Sequence, residues 1–469
     1  MPDEQVLDLP ELDLSTPRRL HVVGAGGAGM SAIALLLARM GHRVSGSDLK
    51  DSPALARLAA AGIEIAVPQR ATNVPTDADA VIYSTAVPAD NVELAAARRN
   101  GTLVLHRSRA LRALTRLRSS VAVAGSHGKT TTASMLALVL RAAGLRPSFV
   151  IGGEVNEVGA NAAFDRGDWL VVEADESDGT FLALEPAAAI VTSVEPDHLD
   201  QYGGFDGLVA AFDQFLSNVR GPRVVGVDDP AAADLARRTP GTTTYGFAPG
   251  ASLRIVDYAG HRFGATFGVE ADARPLGVLE LPVPGRHNAS NATGAVALAL
   301  ELGVDFDVAA RALRGFGGVA RRFQHRGEVG GVSLVDDYAH LPAEVAAAIA
   351  AAREGGWSRV IVVFQPHRYS RTAALWRDFA RAFDGADVVV VTDVYAAGEA
   401  PIAGVSGGLV VRALVEQRPA LPVSYLPRRS DLLDVLRALA RPGDVVLTLG
   451  AGDLTTLPDE WLASAEERR

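Results

Sequence analysis

The 469-residue sequence contains no cysteine. A disulfide framework, a thiolate nucleophile and a cysteine-based zinc site are therefore excluded. No apolar run reaches the roughly 18 residues that a membrane-spanning helix needs. The net charge of −10 is opposite to that of a nucleic-acid-binding surface. We therefore expect neither a membrane span nor a nucleic-acid partner.

A targeting pattern is also missing at the N-terminus. The first fifteen residues, MPDEQVLDLPELDLS, are acidic and show no basic and then apolar stretch of the kind found in signal peptides. This composition predicts a cytoplasmic protein.

The length predicts about three domains, at roughly 150 residues per domain, and the hydrophobic content of 48% can supply a core for each. The alternation of strands and helices along the chain predicts an α/β fold. We place the boundaries at 1–117, 118–318 and 319–469. Residues 20–48 have the pattern of a strand, a glycine turn, a helix and a second strand, which opens a nucleotide-binding βαβ unit. Apolar stretches at Ala80–Tyr83 and Thr102–Leu105 and a helical segment at Ser108–Arg118 continue the alternation. The first domain is therefore predicted to be Rossmann-like.

The second and third domains show the same alternation with one interruption each. In the second, strands SVAVAG, WLVVEAD and AAAIVTSV predict an α/β unit with its own core, while residues 222–283 have the pattern of β-hairpins and make the sheet mixed. In the third, the segment GVARRFQHRGEVGG is predicted to be a linker. Strands SRVIVVF, DVVVVTDVY, PVSYLP and DVVLTLG then alternate with helices and predict a Rossmann-like, doubly wound sheet.

The glycine turn has the spacing G-x-G-x-x-G at Gly24, Gly26 and Gly29. This spacing lets backbone N–H groups and a helix N-terminus approach a phosphate. Asp48 ends the second strand, where a carboxylate can meet a ribose hydroxyl. The pattern favours a nucleotide diphosphate other than NAD(P). An NAD(P) site and purely structural glycines remain open.

A second glycine-rich loop, GSHGKTT at Gly125–Thr131, lies between a strand and a helix. It contains one of only two lysines in the chain, Lys129, the other being Lys50. The glycines allow the backbone to surround phosphates, Lys129 neutralises β- and γ-phosphate charge, and the Thr130 hydroxyl can bind Mg²⁺. Val123 occupies the position of the first glycine of the full P-loop pattern, so the loop is a shortened variant. It predicts nucleoside triphosphate binding.

Acidic segments follow the next two strands of this domain. Glu173 in VVEADESD and His198 in EPDHLD would meet beside the phosphate loop, because adjacent parallel strands end at one edge of the sheet. Together they could hold a metal near the γ-phosphate, although imidazole is an uncommon partner for Mg²⁺. The remaining carboxylates are better explained as helix caps, groups that hold the metal ligands or solvated surface: Asp175, Asp178, Asp197 and Asp200.

Three further polar clusters have two readings each. In HNASN an asparagine could contact adenine, but Asn288 or Ser290 could equally cap the following helix. Arg321 and Arg322 could bind an anion or be ordinary linker charges. Arg368 and Arg371, three residues apart, would face one way on a helical turn and could hold a carboxylate, or could form a solvated face.

Taken in order, the motifs HVVGAGGAGMS, GSHGKTTT, VEADESD, EPDHLD, RRFQ, DDYAH, QPHRYSR and DVYAAGE resemble those of the Mur ligases over nearly the whole chain. The resemblance implies a UDP-sugar domain, an ATPase domain and an amino-acid-ligating domain. It also implies ATP-dependent ligation of L-alanine to the lactyl carboxylate of UDP-N-acetylmuramate through an acyl phosphate, with ATP and Mg²⁺ required, in peptidoglycan precursor synthesis.

The resemblance implies a role for each matching residue. Catalytic roles fall to Lys129, Glu173, His198 and Arg322, and Mg²⁺ binding to Thr130, Glu173 and His198. ATP binding is assigned to Gly125, Ser126, His127, Gly128, Lys129, Thr130, Thr131, His287, Asn291, Arg322 and Asp337. UDP-sugar binding is assigned to Gly24, Ala25, Gly26, Gly27, Ala28, Gly29, Met30, Asp48, Ser84 and Thr85. Carboxylate and amino-acid binding is assigned to Tyr338, His367, Arg368 and Arg371.

The chain departs from the family pattern at a few positions, namely Pro68-Gln69, Arg109, Ser126, Ser193 and Leu341. The first two lie in the predicted sugar-nucleotide domain, so the exact sugar nucleotide stays open. The alternatives are a related ligase with another UDP-sugar or a murein tripeptide as acceptor, an NAD(P)-dependent oxidoreductase and a non-catalytic nucleotide-binding regulator. The oxidoreductase would leave the phosphate loop without a role.

Overall fold

The computed structural model describes residues 12–156 and 160–466, without the side chains of Glu154, Val155, Asp200 and Glu466. Most of the acidic N-terminal segment and the side chain of Asp200 thus lie outside the described part of the chain. Within that part, no helix is long and apolar enough to cross a membrane.

The first sheet has five strands in the order β3-β2-β1-β4-β5, and all of their pairings are parallel. This confirms the Rossmann-like prediction. The loops after its strands consequently meet at one edge of the sheet. The elements are β1 (Arg19–Val23), α1 (Ala28–Arg39), β2 (Arg43–Ser47), α2 (Pro53–Ala60), β3 (Glu64–Ala66), a 3-10 helix (Ala71–Asn73), β4 (Ala80–Tyr83), α3 (Val92–Arg99), β5 (Leu103–His106) and α4 (Arg107–Leu117).

The central sheet is mixed, as predicted. Its elements are β6 (Ser119–Ala124), α5 (Lys129–Ala142), β7 (Ser148–Val155), β8 (Ala160–Ala163), β9 (Trp169–Glu173), a 3-10 helix (Thr180–Ala183), β10 (Ala188–Val191), α6 (Leu199–Tyr202), α7 (Phe205–Ser217), β11 (Arg223–Gly226), α8 (Pro230–Arg238), β12 (Thr242–Gly246), β13 (Leu253–His261), β14 (Gly264–Ala271), β15 (Arg274–Leu281), α9 (Arg286–Glu301) and α10 (Phe306–Arg314). The strand order is β15-β14-β13-β12-β11-β10-β6-β9-β7-β8. Strand β6 lies between β10 and β9 and is parallel to both, while β7 and β8 are antiparallel.

The prediction of hairpins throughout residues 222–283 is wrong in its first half. There β11 and β12 are parallel neighbours joined by helix α8. The helix begins because the Asp229 carboxylate accepts hydrogen bonds from Ala231 N and Ala232 N, and because Pro230 has a φ suited to the first turn.

The third sheet has the order β16-β17-β21-β18-β19-β20, and its pairs from β17 to β20 are parallel. Its elements are β16 (Gln324–Val329), β17 (Val332–Asp337), α11 (Pro342–Glu354), β18 (Val360–Phe364), α12 (Tyr369–Leu375), α13 (Phe379–Ala382), β19 (Val388–Val391), α14 (Gly408–Gln417), β20 (Val423–Tyr425), a 3-10 helix (Arg429–Asp431), α15 (Leu432–Leu439), β21 (Val445–Leu449), a 3-10 helix (Asp453–Thr456) and α16 (Leu457–Glu466). The doubly wound prediction is confirmed. Half of the predicted linker, however, is the edge strand β16, which pairs antiparallel with β17.

The chain divides into two compact units. One comprises 1–255, 269–277 and 290–313, and the other comprises 256–268, 278–289 and 314–469. The first two sheets thus belong largely to one unit and the third sheet to the other. The three domain boundaries given above stay a prediction.

Candidate active site

The phosphate loop joins β6 to α5 through two glycines with positive φ, +131° at Gly125 and +79° at Gly128. A Cβ at Gly125 would lie 2.1 Å from Thr192 Oγ1, and one at Gly128 would lie 2.3 Å from Asn291 Oδ1. Side chains at these positions are therefore excluded by both backbone conformation and space. Asn291, predicted near the ATP base, lies against the phosphate loop.

The segment after β10 fixes the loop in place. Ser126 N donates to Ser193 O at 3.0 Å, and Glu195 N donates to Ser126 Oγ at 2.8 Å. His127 N donates to Ser193 Oγ at 3.2 Å, while His127 Nε2 lies 3.5 Å from Glu195 Oε2. Ser126 and Ser193, two of the departures from the family pattern, are thus both used to hold the loop.

The ammonium group of Lys129 is held by its own loop and by Glu176. Its Nζ donates to Gly125 O at 2.7 Å and to Glu176 Oε1 at 2.9 Å. Burial opposes the charge of Lys129, but its acidic neighbours outweigh burial and raise its pKa. Burial raises the pKa of Glu176 to about 7, against the lowering effect of Lys129. Sequence reasoning missed Glu176, although it lies within the motif VEADESD.

Thr130 and Glu173, two of the three residues predicted to bind Mg²⁺, meet beside the loop, and their metal-binding role stays a prediction. Thr130 Oγ1 donates to Glu173 Oε1 at 2.9 Å, and Gly152 N donates to Glu173 Oε2 at 2.7 Å. His198, the third predicted ligand, has a φ of +53° before helix α6, and its Nε2 lies 3.2 Å from Asp197 Oδ2. No group of three or more His, Asp or Glu side chains in the described part of the chain could hold a metal ion.

Residues 173–178, here called the acidic segment, carry four carboxylates. Asp175 Oδ1 accepts from Ser177 N at 3.0 Å, and Asp178 Oδ1 accepts from Thr180 N at 3.0 Å. Both carboxylates therefore cap local turns, and capping was one of the roles predicted for them. Their other oxygens contact Arg107, the first residue of α4. Arg107 Nη2 lies 3.0 Å from Asp175 Oδ2 and 2.7 Å from Asp178 Oδ2. Sequence reasoning did not identify this role of Arg107.

The residues predicted to bind the UDP-sugar lie at one edge of the first sheet. The turn from Gly24 to Met30 follows β1, Asp48 follows β2, and Ser84 and Thr85 follow β4. Asp48 holds the turn together, because Gly26 N donates to Asp48 Oδ2 at 2.8 Å. Thr85 Oγ1 donates to Asp178 Oδ2 at 3.0 Å. Each position lies at the predicted edge, and its binding role stays a prediction.

Two of the departures in the first domain belong to a loop tied to helix α3. Asn91 Nδ2 donates to Gln69 Oε1 at 2.7 Å, and Asn73 Nδ2 donates to Pro68 O at 3.1 Å. Asn73 Nδ2 also donates to the fully buried Glu93 at 2.7 Å. Gln69 is therefore held in a defined position at the carboxyl end of the sheet.

In the other unit, Asp337 ends β17 in a buried position. Its two oxygens accept hydrogen bonds from Phe323 N and Ala339 N, each at 2.7 Å. Burial raises its pKa to about 6, while Arg322 opposes that rise. Burial and Arg322 together lower the pKa of His287 to about 4. Arg322 thus influences both His287 and Asp337 electrostatically, and the assignment of the three residues to ATP stays a prediction.

Arg321 and Arg322 were each predicted either to bind an anion or to be an ordinary linker charge, and the structure places them differently. Arg321 donates through Nη2 to Gly450 O at 2.8 Å and to Gly452 O at 3.1 Å, so it holds two backbone segments together. Tyr338 lies under both arginines, with Arg322 Cζ 5.2 Å from its ring centre. This agrees with a structural role for Arg321 and leaves Arg322 as the candidate for anion binding.

Two helical predictions are wrong in detail. Arg368 and Arg371 do not share a helical turn, because Arg368 precedes α12 with a φ of +68° and its N–H donates to Tyr395 O. Arg371 lies in the helix, 3.3 Å from His367 Nδ1. The suggestion that Asn288 or Ser290 caps α9 is also wrong, because α9 begins at Arg286 and contains both residues.

The last departure from the family pattern is Leu341. It is buried before α11, and Leu341 N donates to Glu344 Oε2 at 3.2 Å. The preceding His340 is nearly buried and its ring lies 5.4 Å from that of His367. Burial chiefly lowers the pKa values of both rings, to about 3 for His367.

The fold and the phosphate loop together define an α/β enzyme of the nucleotide-binding class. Three family models match consecutive parts of the chain: the Mur ligase family catalytic domain over residues 19–119, the Mur ligase middle domain over 123–299, and the Mur ligase glutamate ligase domain over 321–452. The chain belongs to the Mur ligase family, whose members are ATP-dependent ligases acting on small molecules.

Similar proteins cover almost the whole chain. A UDP-N-acetylmuramate–L-alanine ligase of Pelotomaculum thermopropionicum is 45% identical over 96% of this chain and 98% of its own. One of Rubrobacter xylanophilus is 47% identical over 95% of this chain and 99% of its own. The crystal structure of the UDP-N-acetylmuramate-alanine ligase of Thermotoga maritima has a TM-score of 0.84 at 30% identity, covering 96% of this chain and all of that one.

Proposed function

We propose that this chain joins L-alanine to the lactyl carboxylate of UDP-N-acetylmuramate and converts ATP to ADP and phosphate, in the cytoplasm, for peptidoglycan synthesis. The proposal rests on relatives named UDP-N-acetylmuramate–L-alanine ligase, which are 43–47% identical to this chain over nearly its full length. A phosphate loop followed by a carboxylate-rich strand end is what such a reaction requires.

The chemistry needs activation of an unreactive carboxylate. A lactyl carboxylate oxygen attacks the γ-phosphorus of ATP, the bond to ADP breaks, and an acyl phosphate forms. The uncharged amine of L-alanine then attacks the acyl carbon, an amide bond forms, and phosphate leaves while the nitrogen loses its extra proton. Both steps bring anions together, so positioned cations matter more than a protein nucleophile. Lys129 and Arg322 supply those charges.

Mg²⁺ fits the oxygen donors beside the loop. The Thr130 hydroxyl and the Glu173 carboxylate lie 2.9 Å apart, and hydroxyl and carboxylate oxygens are ligands that Mg²⁺ prefers. We assign them, with His198, to the metal that accompanies ATP. Bound Mg²⁺ would neutralise phosphate charge and orient the γ-phosphate. Gly152 N keeps the second oxygen of Glu173 in place, so the carboxylate is already oriented.

The sugar nucleotide, the base and ribose of ATP, and the amino acid are assigned to residues of all three domains. UDP-N-acetylmuramate would bind at the glycine turn, with Asp48, Ser84 and Thr85 at the same sheet edge. The base and ribose of ATP would contact His287, Asn291 and Asp337. Tyr338, His367, Arg368 and Arg371 would orient carboxylates of the amino acid or product.

The proposal is tested by phosphate release from ATP with one component omitted at a time. Release should require UDP-N-acetylmuramate, L-alanine and Mg²⁺ together, and mass spectrometry should show the alanyl amide. A murein tripeptide in place of L-alanine tests the related ligase, and NAD⁺ binding tests the oxidoreductase. Full activity with the tripeptide and none with L-alanine would refute the assignment.

A further inference from the structure

We propose that Arg107 binds an anionic group of the sugar nucleotide, and that the acidic segment holds its guanidinium in position for that purpose. This inference rests on the function proposed above, and it concerns a residue that the sequence motifs did not assign to any substrate. Arg107 would then be a substrate-binding residue of the first domain that carboxylates of the central domain hold in position.

The first argument is the place of Arg107 in the fold. It begins helix α4 directly after β5, at the same edge of the parallel sheet as the glycine turn. Its Nη1 lies 3.3 Å from the position that a Cβ on Gly29 would occupy. The absence of a side chain at Gly29 therefore allows the guanidinium to approach the first turn of α1.

The second argument is the hydrogen-bonding capacity left at this place. Arg107 uses Nε for Asp178 and Nη2 for Asp175 and Asp178. Its Nη1 makes no hydrogen bond to any residue that the structure describes. Within the described chain, the same holds for the backbone N–H groups of Ala28, Gly29 and Met30. A guanidinium edge and a helix N-terminus thus offer unused donors side by side, and both favour an anion.

The third argument is the fixation of the guanidinium. Asp178 accepts from Arg107 and also from Thr85 Oγ1, at 3.0 Å in each case. Asp175 is bound to Arg107 at 3.0 Å, and the Arg107 side chain is only 18% exposed. A side chain held from one side loses little further freedom when the opposite edge binds a ligand, so affinity increases. Asp175 and Asp178 are positioning residues in this arrangement.

The anion has two possible sources within one substrate. The diphosphate would lie at the glycine turn, whereas the lactyl carboxylate must reach the γ-phosphate near Lys129. Arg107 lies between the two regions, because its Nη2 is 3.0 Å from Asp175 Oδ2, and the next residue, Glu176, accepts a hydrogen bond from Lys129 Nζ at 2.9 Å. A guanidinium binds carboxylate and phosphate with the same fork geometry.

Calorimetric titration of the full chain with three ligands separates these sources. UDP carries only the diphosphate, UDP-N-acetylglucosamine adds the sugar, and UDP-N-acetylmuramate adds the carboxylate. Arg107→Ala should weaken binding roughly tenfold to a hundredfold. Weaker binding of all three ligands indicates the diphosphate, and weaker binding of UDP-N-acetylmuramate alone indicates the carboxylate. Arg107→Lys, which keeps the charge but loses the fork, should fall between wild type and alanine.

Arg112→Ala is the matched control. Arg112 lies in the same helix and pairs with Glu185 at 2.6 Å, so it also joins α4 to the central domain, and its pairing partner lies outside the acidic segment. The double variant Arg107→Ala/Asp178→Asn distinguishes a lost donor from a newly unpaired carboxylate. If the lost donor is the cause, the double variant should bind the sugar nucleotide as weakly as Arg107→Ala does. Unfolding curves of each variant exclude loss of fold.

The proposal is overturned if Arg107→Ala binds all three ligands within about twofold of wild type, if Arg112→Ala weakens them equally, or if the double variant regains wild-type affinity. These outcomes can be distinguished from failure of the proposed function. If the proposed function were wrong, the wild-type protein itself would not bind UDP-N-acetylmuramate.

Discussion

Replacing Lys129 by alanine is the most direct perturbation of the phosphate loop. Its Nζ lies 2.7 Å from Gly125 O and 2.8 Å from Glu176 Oε2, so the ammonium group is held at the phosphate loop by protein groups. Losing one preorganised group that stabilises transition-state charge costs about 3–4 kcal/mol, or roughly a 10²- to 10³-fold lower rate. We expect Lys129→Ala to lose phosphate release and amide formation to that extent.

The same substitution also affects stability, because it leaves Glu176 buried without its counter-ion. Breaking a buried ion pair costs about 3–5 kcal/mol when the remaining charge persists. Glu176 has a pKa of about 7, so it can take up a proton and limit the cost. We expect the free energy of unfolding to fall by about 1–3 kcal/mol near neutral pH. Lys129→Ala/Glu176→Gln should regain stability without regaining activity.

Steady-state phosphate release with all substrates present, together with denaturant unfolding of each variant, measures both effects. Lys50→Ala is the control, because it removes the chain's other lysine from an exposed position after β2. The reasoning is refuted if Lys129→Ala retains more than about a tenth of the wild-type turnover, a loss of only about 1.4 kcal/mol. Recovery of activity in the double variant would refute it equally.

Three further predictions concern the phosphate loop and the acidic segment beside it. Gly125→Ala should destabilise the protein by at least about 1–3 kcal/mol, because a Cβ there meets Thr192 at a strained φ; an unchanged Tm would contradict this. Thr130→Ser should keep Mg²⁺-dependent activity and Thr130→Val should lose it, and equal rates for the two would remove Thr130 from the metal site. The raised pKa of Glu176 contributes stability that is full below 4.5 and is lost as the pH rises through about 7. Wild-type stability relative to Glu176→Gln should therefore fall by up to about 3 kcal/mol over that range, measured by urea unfolding.

The strands could be predicted where burial imposes a pattern. Ala80–Tyr83 was expected as a strand and is β4, because its apolar residues are enclosed by a parallel sheet. Helix α8 was missed because its surroundings are rich in glycine and proline, although Asp229-Pro230 is a helix-start signal. Strand β16 could not be read from periodicity, since none of its residues is buried and its structure depends on pairing with β17.

The phosphate loop could be read from the sequence because its function depends on consecutive residues. The pairing of Lys129 with Glu176 could not, because it arises only when β6 and β9 are neighbours in the sheet. Arg368 shows a second limit. Its spacing from Arg371 suits a helical turn, yet a hydrogen bond to Tyr395 O fixes it outside the helix. Contacts distant in sequence decide both cases.

The charge of the acidic segment supports the proposal that a metal ion accompanies the nucleotide at this site. Its four carboxylates face two cations, Lys129 and Arg107, so the carboxylates outnumber the cations whether or not Glu176 is protonated. Such a site would repel the phosphates of ATP if no further positive charge entered with them. A divalent ion held by Thr130 and Glu173 would restore the balance where the γ-phosphate is transferred. The carboxylates that position the two cations also leave the site short of positive charge, and we therefore expect ATP binding to require Mg²⁺.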